Sequence, residues 1–222
     1  MNPIGMHSEY SIAQRIGETG VVPVIAINEA AKATRLAETL VSAGLPIAEI
    51  TFRTSAAAEV IDAMRTAEPE MLVGAGTLLS AEDVNAAVDA GAQFGLAPGL
   101  VPSIVEHANE RGLPFYPGVM TPSDIGIALS LGIDTMKFFP AGPAGGPAML
   151  EALAAPHSHR APRFVPTGGI KADDIPSWLN TEGVAAVGGS WIASRSDIAN
   201  DRWHAIHDNA VAAVARVREV RS

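Results

Sequence analysis

The sequence of 222 residues contains no cysteine, only 5% aromatic residues and no long apolar run. The absence of cysteine excludes disulfides and thiolate metal sites. No apolar run approaches the ~20 residues that a membrane-spanning helix needs, and the N-terminus lacks the basic and apolar segments of a signal peptide. The net charge is −9 without a long basic run, which argues against a nucleic-acid-binding surface. We therefore expect a cytoplasmic protein that binds neither membranes nor nucleic acids.

The composition predicts a substantial hydrophobic core. Hydrophobic residues make up 48% of the chain and charged residues 18%. The length fits one large domain or two small ones. Because no linker or low-complexity segment interrupts the chain, we expect a single domain over residues 1–222.

Short apolar runs alternate with helical patterns along the whole chain. The expected strands are 21–27, 46–51, 71–74, 93–97, 113–116, 133–139, 163–166 and 184–187. The expected helices are 8–17, 29–43, 55–68, 81–90, 103–111, 123–131, 148–153, 173–179 and 201–220. Eight strands that alternate with helices predict an α/β fold, a (β/α)₈ barrel preceded by an N-terminal helix. An open doubly wound sheet is the competing architecture, but no G-x-G-x-x-G motif follows the first strand.

Lys137 stands inside the sixth expected strand, within the run MKFFP at 136–140. Lysine is rarely buried unless another group pairs with it. An amine in a dry pocket can react with a ketone to form a Schiff base. Alternatively, its stem packs in the core and its ammonium reaches solvent at the strand end. The other two lysines, Lys32 in a helix and Lys171 in a loop, are expected to be solvated, so Lys137 is the candidate nucleophile.

Two charged residues, Glu49 and Arg53, mark the end of the second expected strand. Glu49 lies in an apolar strand, where a carboxyl group can exchange protons with a substrate; alternatively, it forms an ion pair with Lys137 or Arg53. Arg53 is suited to bidentate binding of a carboxylate, or it is an ordinary surface arginine. Because active sites of such barrels lie at the C-terminal ends of the strands, we expect Lys137 and Glu49 to share one site.

Glycine-rich turns follow the seventh and eighth expected strands, with TGG at 167–169 and GGS at 188–190. Main-chain N–H groups of such turns bind anions, and phosphate sites of barrels usually lie at these two strands. Each glycine pair can also be an ordinary turn. The histidines, all expected in helices or loops, are at 7, 107, 157, 159, 204 and 207. With no inward carboxylate cluster either, we expect no metal and no cofactor.

Seven motifs in order resemble the family of 2-keto-3-deoxy-6-phosphogluconate (KDPG) and 4-hydroxy-2-oxoglutarate (KHG) aldolases. They are GLPIAEITFR at 44–53, GAGT at 74–77, APG at 97–99, PG at 117–118, GIDTMKFFPA at 132–141, PTGGI at 166–170 and GGSW at 188–191. The resemblance implies a class I aldolase that cleaves KDPG to pyruvate and glyceraldehyde 3-phosphate, and KHG to pyruvate and glyoxylate. It also implies a homotrimer that works in the Entner–Doudoroff pathway.

The same resemblance implies roles for individual residues. Lys137 would form the Schiff base and Glu49 would move protons. The remaining positions would bind substrate: Arg53 and Thr77, with Thr167 nearby, would hold the carboxylate, and Gly168, Gly169, Gly189 and Ser190 the phosphate. The chain departs from the family pattern at Gly142, where an acidic residue is common. This departure bears on recognition of the aldehyde half of the substrate more than on the Schiff base.

Three other functions are compatible with parts of the pattern. The first is an aldolase for the galactonate epimer of the substrate, which differs at one hydroxyl. The second is another phosphate-binding barrel, either a different Schiff-base aldolase or a sugar-phosphate isomerase, which needs no strand lysine beside a glutamate. The third is a non-catalytic barrel that binds a sugar acid, and such a protein is expected to lack Lys137 or Glu49.

Overall fold

Parallel strands and helices alternate in the computed structural model, which describes residues 4–222, with side chains from residue 12. The strands are β1 (Val21–Ile25), β2 (Ile47–Thr51), β3 (Leu72–Gly76), β4 (Gly95–Leu96), β5 (Phe115–Tyr116), β6 (Gly118–Val119), β7 (Thr135–Phe138), β8 (Arg163–Pro166) and β9 (Val187–Gly189). One sheet has the order β5-β4-β3-β2-β1-β9 and the other β6-β7-β8, and all pairs are parallel.

Two connections close these sheets into a ring. Only Pro117 separates β5 from β6, so these two segments together form one strand of the barrel. On the other side, isolated bridges pair Phe164 with Val184 and Thr167 with Gly188, which joins β8 to the chain around β9. The ring therefore has eight positions. This confirms the predicted (β/α)₈ barrel.

The helices follow the strands and bury their apolar faces. They are α1 (Ile4–Thr19), α2 (Ala33–Ser42), α3 (Ala57–Ala67), α4 (Ala81–Asp89), α5 (Pro102–Glu110), α6 (Pro122–Ser130), α7 (Gly146–Ala154), α8 (Ile175–Leu179), α9 (Arg195–Ala199) and α10 (Trp203–Arg221). Three 3₁₀ segments add to them: Ala30–Lys32, Ala155–Arg160 and Ala172–Asp174. In α2 the buried Ala33, Leu36, Ala37 and Leu40 recur at helical spacing, as an amphipathic helix requires. Within residues 4–222, no helix has the length and apolarity needed to cross a bilayer.

The barrel interior is filled by side chains. Every residue of β2 and β3 is buried, as expected for strands of a parallel sheet that is covered on both faces. Phe94 is among the largest fully buried side chains. Its ring lies against Gly74, where a Cβ would overlap it. The glycine thus makes room for the ring of Phe94.

Several expectations about local structure are wrong. The eighth strand covers Val187–Gly189 instead of 184–187, and the short helix α9 has no counterpart among the expected elements. Lys32 is not solvated, because its side chain is only 16% exposed and its ammonium contacts Asp201 at 3.1 Å. Lys171 is exposed, as expected.

Candidate active site

Lys137 and Glu49 meet in the barrel interior. The Nζ of Lys137 donates to the Oε1 of Glu49 at 2.9 Å, and the two side chains are 6% and 2% exposed. Lys137 comes from β7 and Glu49 from β2, which are not neighbours in either sheet. The contact therefore crosses the barrel. Of the alternatives left by the sequence, the Lys137 ammonium does not reach solvent, and Glu49 pairs with Lys137.

Glycines permit close contacts around this pair. A Cβ on Gly76 would overlap the carboxylate of Glu49. Gly118 lies opposite Lys137 in the β6–β7 register, and a Cβ there would overlap the carbonyl of Pro98. The ammonium of Lys137 lies 5.7 Å from the ring centroid of Phe139, within the range of a cation–π contact.

The arrangement can provide a nucleophile and a base together. A buried ion pair is weak evidence for a stabilising role, because desolvating both charges offsets their attraction. A lysine and a carboxylate in hydrogen-bond contact, however, have the geometry in which a proton can pass between them. The two groups are therefore placed for Schiff-base chemistry.

The residues expected to bind a carboxylate differ in their placement. Thr77 follows β3 and has φ +61°, a left-handed conformation that is costly for a β-branched residue. Thr167 follows β8, is 5% exposed, and its Oγ1 donates to the carbonyl of Val165 at 3.3 Å. A strained threonine at the C-terminal end of a barrel strand fits a binding residue.

Arg53 is exposed and is not brought into contact with Lys137 or Glu49. No residue between 12 and 222 pairs with its guanidinium. It lines a groove together with Glu82 and Asp83 at the start of α4. The pKa of the Glu82 carboxyl lies below its ordinary value, because the carboxylate accepts hydrogen bonds from the backbone N–H of Glu82 and from the hydroxyl of Ser80. The guanidinium of Arg53 is thus left without a partner in a groove that two carboxylates also line.

The turn after β8 presents main-chain donors. Gly168 and Gly169 have φ +94° and +75°, conformations that glycine adopts without strain. In the described part of the chain, no oxygen accepts from the N–H groups of residues 169 and 170. Successive free N–H groups form a concavity that binds anions.

The turn after β9 adds to this arrangement. Ser190 is exposed, and among residues 4–222 its N–H also has no acceptor. Gly189, in contrast, has a packing role, because a Cβ there would overlap the indole of Trp191. Gly188 similarly makes room for Thr167. The Thr167–Gly188 bridge places the two turns side by side.

Metal ligands are not grouped in the part of the chain that is described. No three histidine, aspartate or glutamate side chains there are close enough to hold an ion. His7, whose side chain is outside the described residues, is not covered by this finding.

Sequence reasoning missed Gly76 and Gly118 as residues that shape the site. Their motifs, GAGT and PG, are visible in the sequence, but their packing partners are not. For Gly76, a signal was available: Gly74 and Gly76 are two residues apart in one strand and therefore face the same side. Two side chains missing from one face indicate a close approach by other groups.

Comparisons with known proteins agree with this geometry. The family model described as "KDPG and KHG aldolase" matches residues 12–209. A 2-dehydro-3-deoxy-phosphogluconate aldolase of Haemophilus influenzae is 40% identical over 200 residues, which cover 90% of this chain and 93% of the relative.

Solved structures of similar proteins have the same fold. A KDPG aldolase from Legionella pneumophila, with pyruvate captured as a covalent carbinolamine, has a TM-score of 0.85 at 33% identity, covering 93% of this chain and 97% of that one. A Zymomonas mobilis KDPG aldolase with 3-phosphoglycerate has a TM-score of 0.83 at 37% identity, covering 95% and 96%.

Proposed function

Because this chain belongs to the KDPG and KHG aldolase family, we propose that it cleaves 2-dehydro-3-deoxy-6-phosphogluconate to pyruvate and glyceraldehyde 3-phosphate. The observation that carries the proposal is the buried contact of 2.9 Å between Lys137 and Glu49. The carbinolamine captured in the Legionella pneumophila relative supports a class I mechanism.

The reaction begins when Lys137 acts as the nucleophile. Its neutral amine attacks the C2 ketone and forms a carbinolamine, which loses water to give an iminium. Glu49 returns a proton to the leaving hydroxyl at this stage. The iminium is an electron sink that is attached to the protein itself.

Cleavage uses the same two residues. Glu49 takes the proton of the C4 hydroxyl, the C3–C4 bond breaks, and its electrons move into the iminium to give an enamine. Glyceraldehyde 3-phosphate then leaves. Protonation of the enamine at C3 and addition of water release pyruvate and restore the amine of Lys137. Each proton that Glu49 takes is one that it can return, so atoms and charges balance.

The substrate's two anionic ends would be held by different groups. We assign the carboxylate to Thr77, Thr167 and Arg53. The phosphate would bind to the free N–H groups of the turn after β8, with Gly189 and Ser190 beside it. The Zymomonas mobilis relative that holds 3-phosphoglycerate supports a phosphorylated ligand for proteins of this fold. Free main-chain N–H groups can bind an anion without the help of a basic side chain.

Trapping with pyruvate and borohydride tests the nucleophile. Reduction should attach the three-carbon group of pyruvate to Lys137, and peptide mass analysis should find it there. Lys32 and Lys171 serve as internal controls, since Lys32 is engaged by carbonyl groups and Asp201, and Lys171 is exposed. An adduct on either of these lysines would disprove the role of Lys137.

Cleavage of KHG to pyruvate and glyoxylate is a second proposed activity, and the family model's description supports it. The galactonate epimer of KDPG differs at a single hydroxyl. A comparison of kcat/KM for KDPG, its galactonate epimer and KHG would identify the preferred substrate. We expect KDPG to be preferred, since the Zymomonas mobilis KDPG aldolase of known structure is 37% identical whereas a KDPGal protein of known structure is 25% identical.

We also propose that the protein assembles as a homotrimer. Large apolar side chains remain exposed on the single chain; Leu79, Val101 and Met120 follow three successive strand positions of the barrel and are 59%, 48% and 47% exposed. Such side chains fit a surface that another copy covers. Light scattering should give three times the mass of one chain.

A further inference from the structure

Two threonine hydroxyls fasten the segment after β2 to the end of β1. The regular pairing of these two strands ends at Ile25 and Ile50. Beyond it, the Oγ1 of Thr51 donates to the carbonyl of Ile25 at 3.0 Å. The Oγ1 of Thr54 then donates to the carbonyl of Ile27 at 2.7 Å. Side-chain hydroxyls therefore hold the two segments together where their ladder stops.

The other side of the same segment is bonded to β3. The N–H of Phe52 donates to the carbonyl of Gly76 at 2.8 Å, directly before the strained Thr77. Arg53 thus stands between a neighbour bonded to β3 and a neighbour, Thr54, bonded to the end of β1. Its main chain is held from both sides, whereas its guanidinium has no partner between residues 12 and 222.

Thr54 connects three elements with one residue. Ile27 is 1% exposed, so its carbonyl is shielded from water and requires a partner within the protein. The hydroxyl of Thr54 is such a partner. The carbonyl of Thr54 in turn accepts from the N–H of Ala57, the first residue of α3, at 3.4 Å. The chain therefore leaves β2 and enters α3 along a path that this side chain fixes.

A fixed path matters for an exposed arginine. Ordering a loop on binding costs free energy that is subtracted from the affinity for the ligand. If the loop after β2 is already held, only the side chain of Arg53 has to be ordered when it meets an anion. The tie to Ile27 thus removes part of the cost of binding before the substrate arrives.

We infer that Thr54 is a positioning residue for Arg53: its hydroxyl holds the loop after β2 against β1, so that rotation of the Arg53 side chain alone brings the guanidinium to the substrate's carboxylate. This inference rests on the proposed function, which assigns that carboxylate to Arg53. It gives Thr54 no contact with substrate.

Thr54→Val tests the inference, because valine keeps the shape of threonine and lacks the hydroxyl. KDPG and KHG both carry a carboxylate beside the reacting ketone, and this carboxylate is unchanged in the reaction. Its loss of binding should therefore raise KM and leave kcat within about twofold. We expect KM to rise about 3- to 10-fold for both substrates, the cost of ordering one more flexible group. Thr54→Ser keeps the hydroxyl and should restore KM.

Thr66→Val is the matched control. Thr66 is exposed on α3, and the same exchange there should leave KM within about twofold of that of the unaltered protein. Thr54→Ala also removes the hydroxyl and should raise KM as Thr54→Val does. It decides the question if the valine variant does not fold.

A double variant shows whether Thr54 acts through Arg53. Arg53→Met removes the guanidinium and keeps an apolar stem, so it should raise KM by itself. If the two residues act as a unit, their effects do not add. Introducing Thr54→Val into Arg53→Met should therefore change KM by less than about twofold. Effects that multiply in full would overturn the inference.

The outcomes separate this inference from the proposed function. If Arg53→Met leaves KM unchanged, the proposed role of Arg53 fails, and this inference fails with it. If Arg53→Met raises KM but Thr54→Val and Thr54→Ala do not, the role of Arg53 stands and Thr54 does not position it. A fall in kcat without a rise in KM would also overturn the inference, because it would indicate a general structural role for Thr54.

Discussion

A buried carboxylate in contact with a lysine can be a structural partner or a proton carrier, and the residues around Glu49 favour the second role. Gly76 lets the carboxylate of Glu49 lie close to the backbone of β3, which either role requires. Thr77, the next residue, adopts a left-handed conformation that is costly for threonine. Such strain is commonly found where a residue has a binding or catalytic task.

Glu49→Gln should separate these two roles. Glutamine keeps the shape and can still accept the hydrogen bond from Lys137, but it cannot carry a proton. We expect kcat for KDPG cleavage to fall about 10²- to 10⁴-fold, the usual range for general acid–base catalysis, with a much smaller change in KM. Steady-state measurement of pyruvate release gives both values.

Glu59→Gln provides the control for this substitution. Glu59 is exposed on α3. The kcat of the Glu59→Gln variant should therefore equal that of the unaltered protein within error. A loss of less than about tenfold in Glu49→Gln would contradict the proton-carrier role and leave Glu49 as a partner that only neutralises Lys137.

At the scale of elements, Lys32 connects two distant segments. Its Nζ donates to the carbonyls of Ile198 and Ala199 at 3.1 and 2.9 Å and pairs with Asp201 at 3.1 Å. These carbonyls belong to the last turn of α9, where a cation is favourable. Lys32 therefore fixes the end of the short helix that follows the turn after β9.

Lys32→Met should lower the free energy of unfolding. Bonds from a charged group to carbonyls are worth about 1.5–3 kcal/mol, and a methionine cannot make them. We expect a loss of about 1–2 kcal/mol in urea unfolding, with Lys137 still able to form its adduct. Lys171→Met, at an exposed position, should change stability by less than about 0.5 kcal/mol. Equal stabilities of the two variants would contradict the role of Lys32.

The sequence predicted elements well where a local pattern determines them. Most helices and strands have apolar periodicity and stop signals, and their bounds agree within a few residues. The helix α9 was not predictable in this way: it has five residues, and Ile198 alone of them is buried. So short a helix depends on tertiary contacts, such as that of Lys32, which no local pattern shows.

The eighth strand shows the same limit. The apolar run 184–187 favours a strand there, but pairing with β1 extends over Val187–Gly189. Two of these three residues are glycines, which have low strand propensity. Their pairing depends on the neighbouring strand, and the packing of Trp191 and Thr167 against them could not be read from the sequence.

For the whole molecule, the proposed mechanism requires no metal, because the iminium on Lys137 serves as the electron sink. Activity on KDPG should therefore survive exhaustive dialysis against EDTA. The comparison is the same preparation after addition of zinc or magnesium, which should not raise kcat. Activity that is lost on dialysis and restored by either ion would indicate a metal-dependent aldolase and overturn the role of Lys137.

The barrel also explains why the sequence predicted which residues form the centre of the site but not where Arg53 lies relative to them. Parallel strands bring their C-terminal ends to one face, so residues 88 positions apart, such as Glu49 and Lys137, meet without any local signal. The barrel pattern thus made their meeting predictable. The separation of Arg53 from this pair was not, because the exposed loop after β2 has no pattern that fixes its direction.

The contact between Lys137 and Glu49 has a consequence for where the protons of the reaction come from. As ammonium and carboxylate, or as amine and carboxylic acid, the pair carries the same net charge of zero. Moving the proton along their hydrogen bond therefore leaves the total charge of this buried site unchanged, and the surrounding apolar core does not oppose it as it would oppose a lone charge. The ammonium of Lys137 can therefore become a reactive amine without exchanging a proton with bulk water. The proton needed for the departing hydroxyl is then already stored beside the carbon at which it is used.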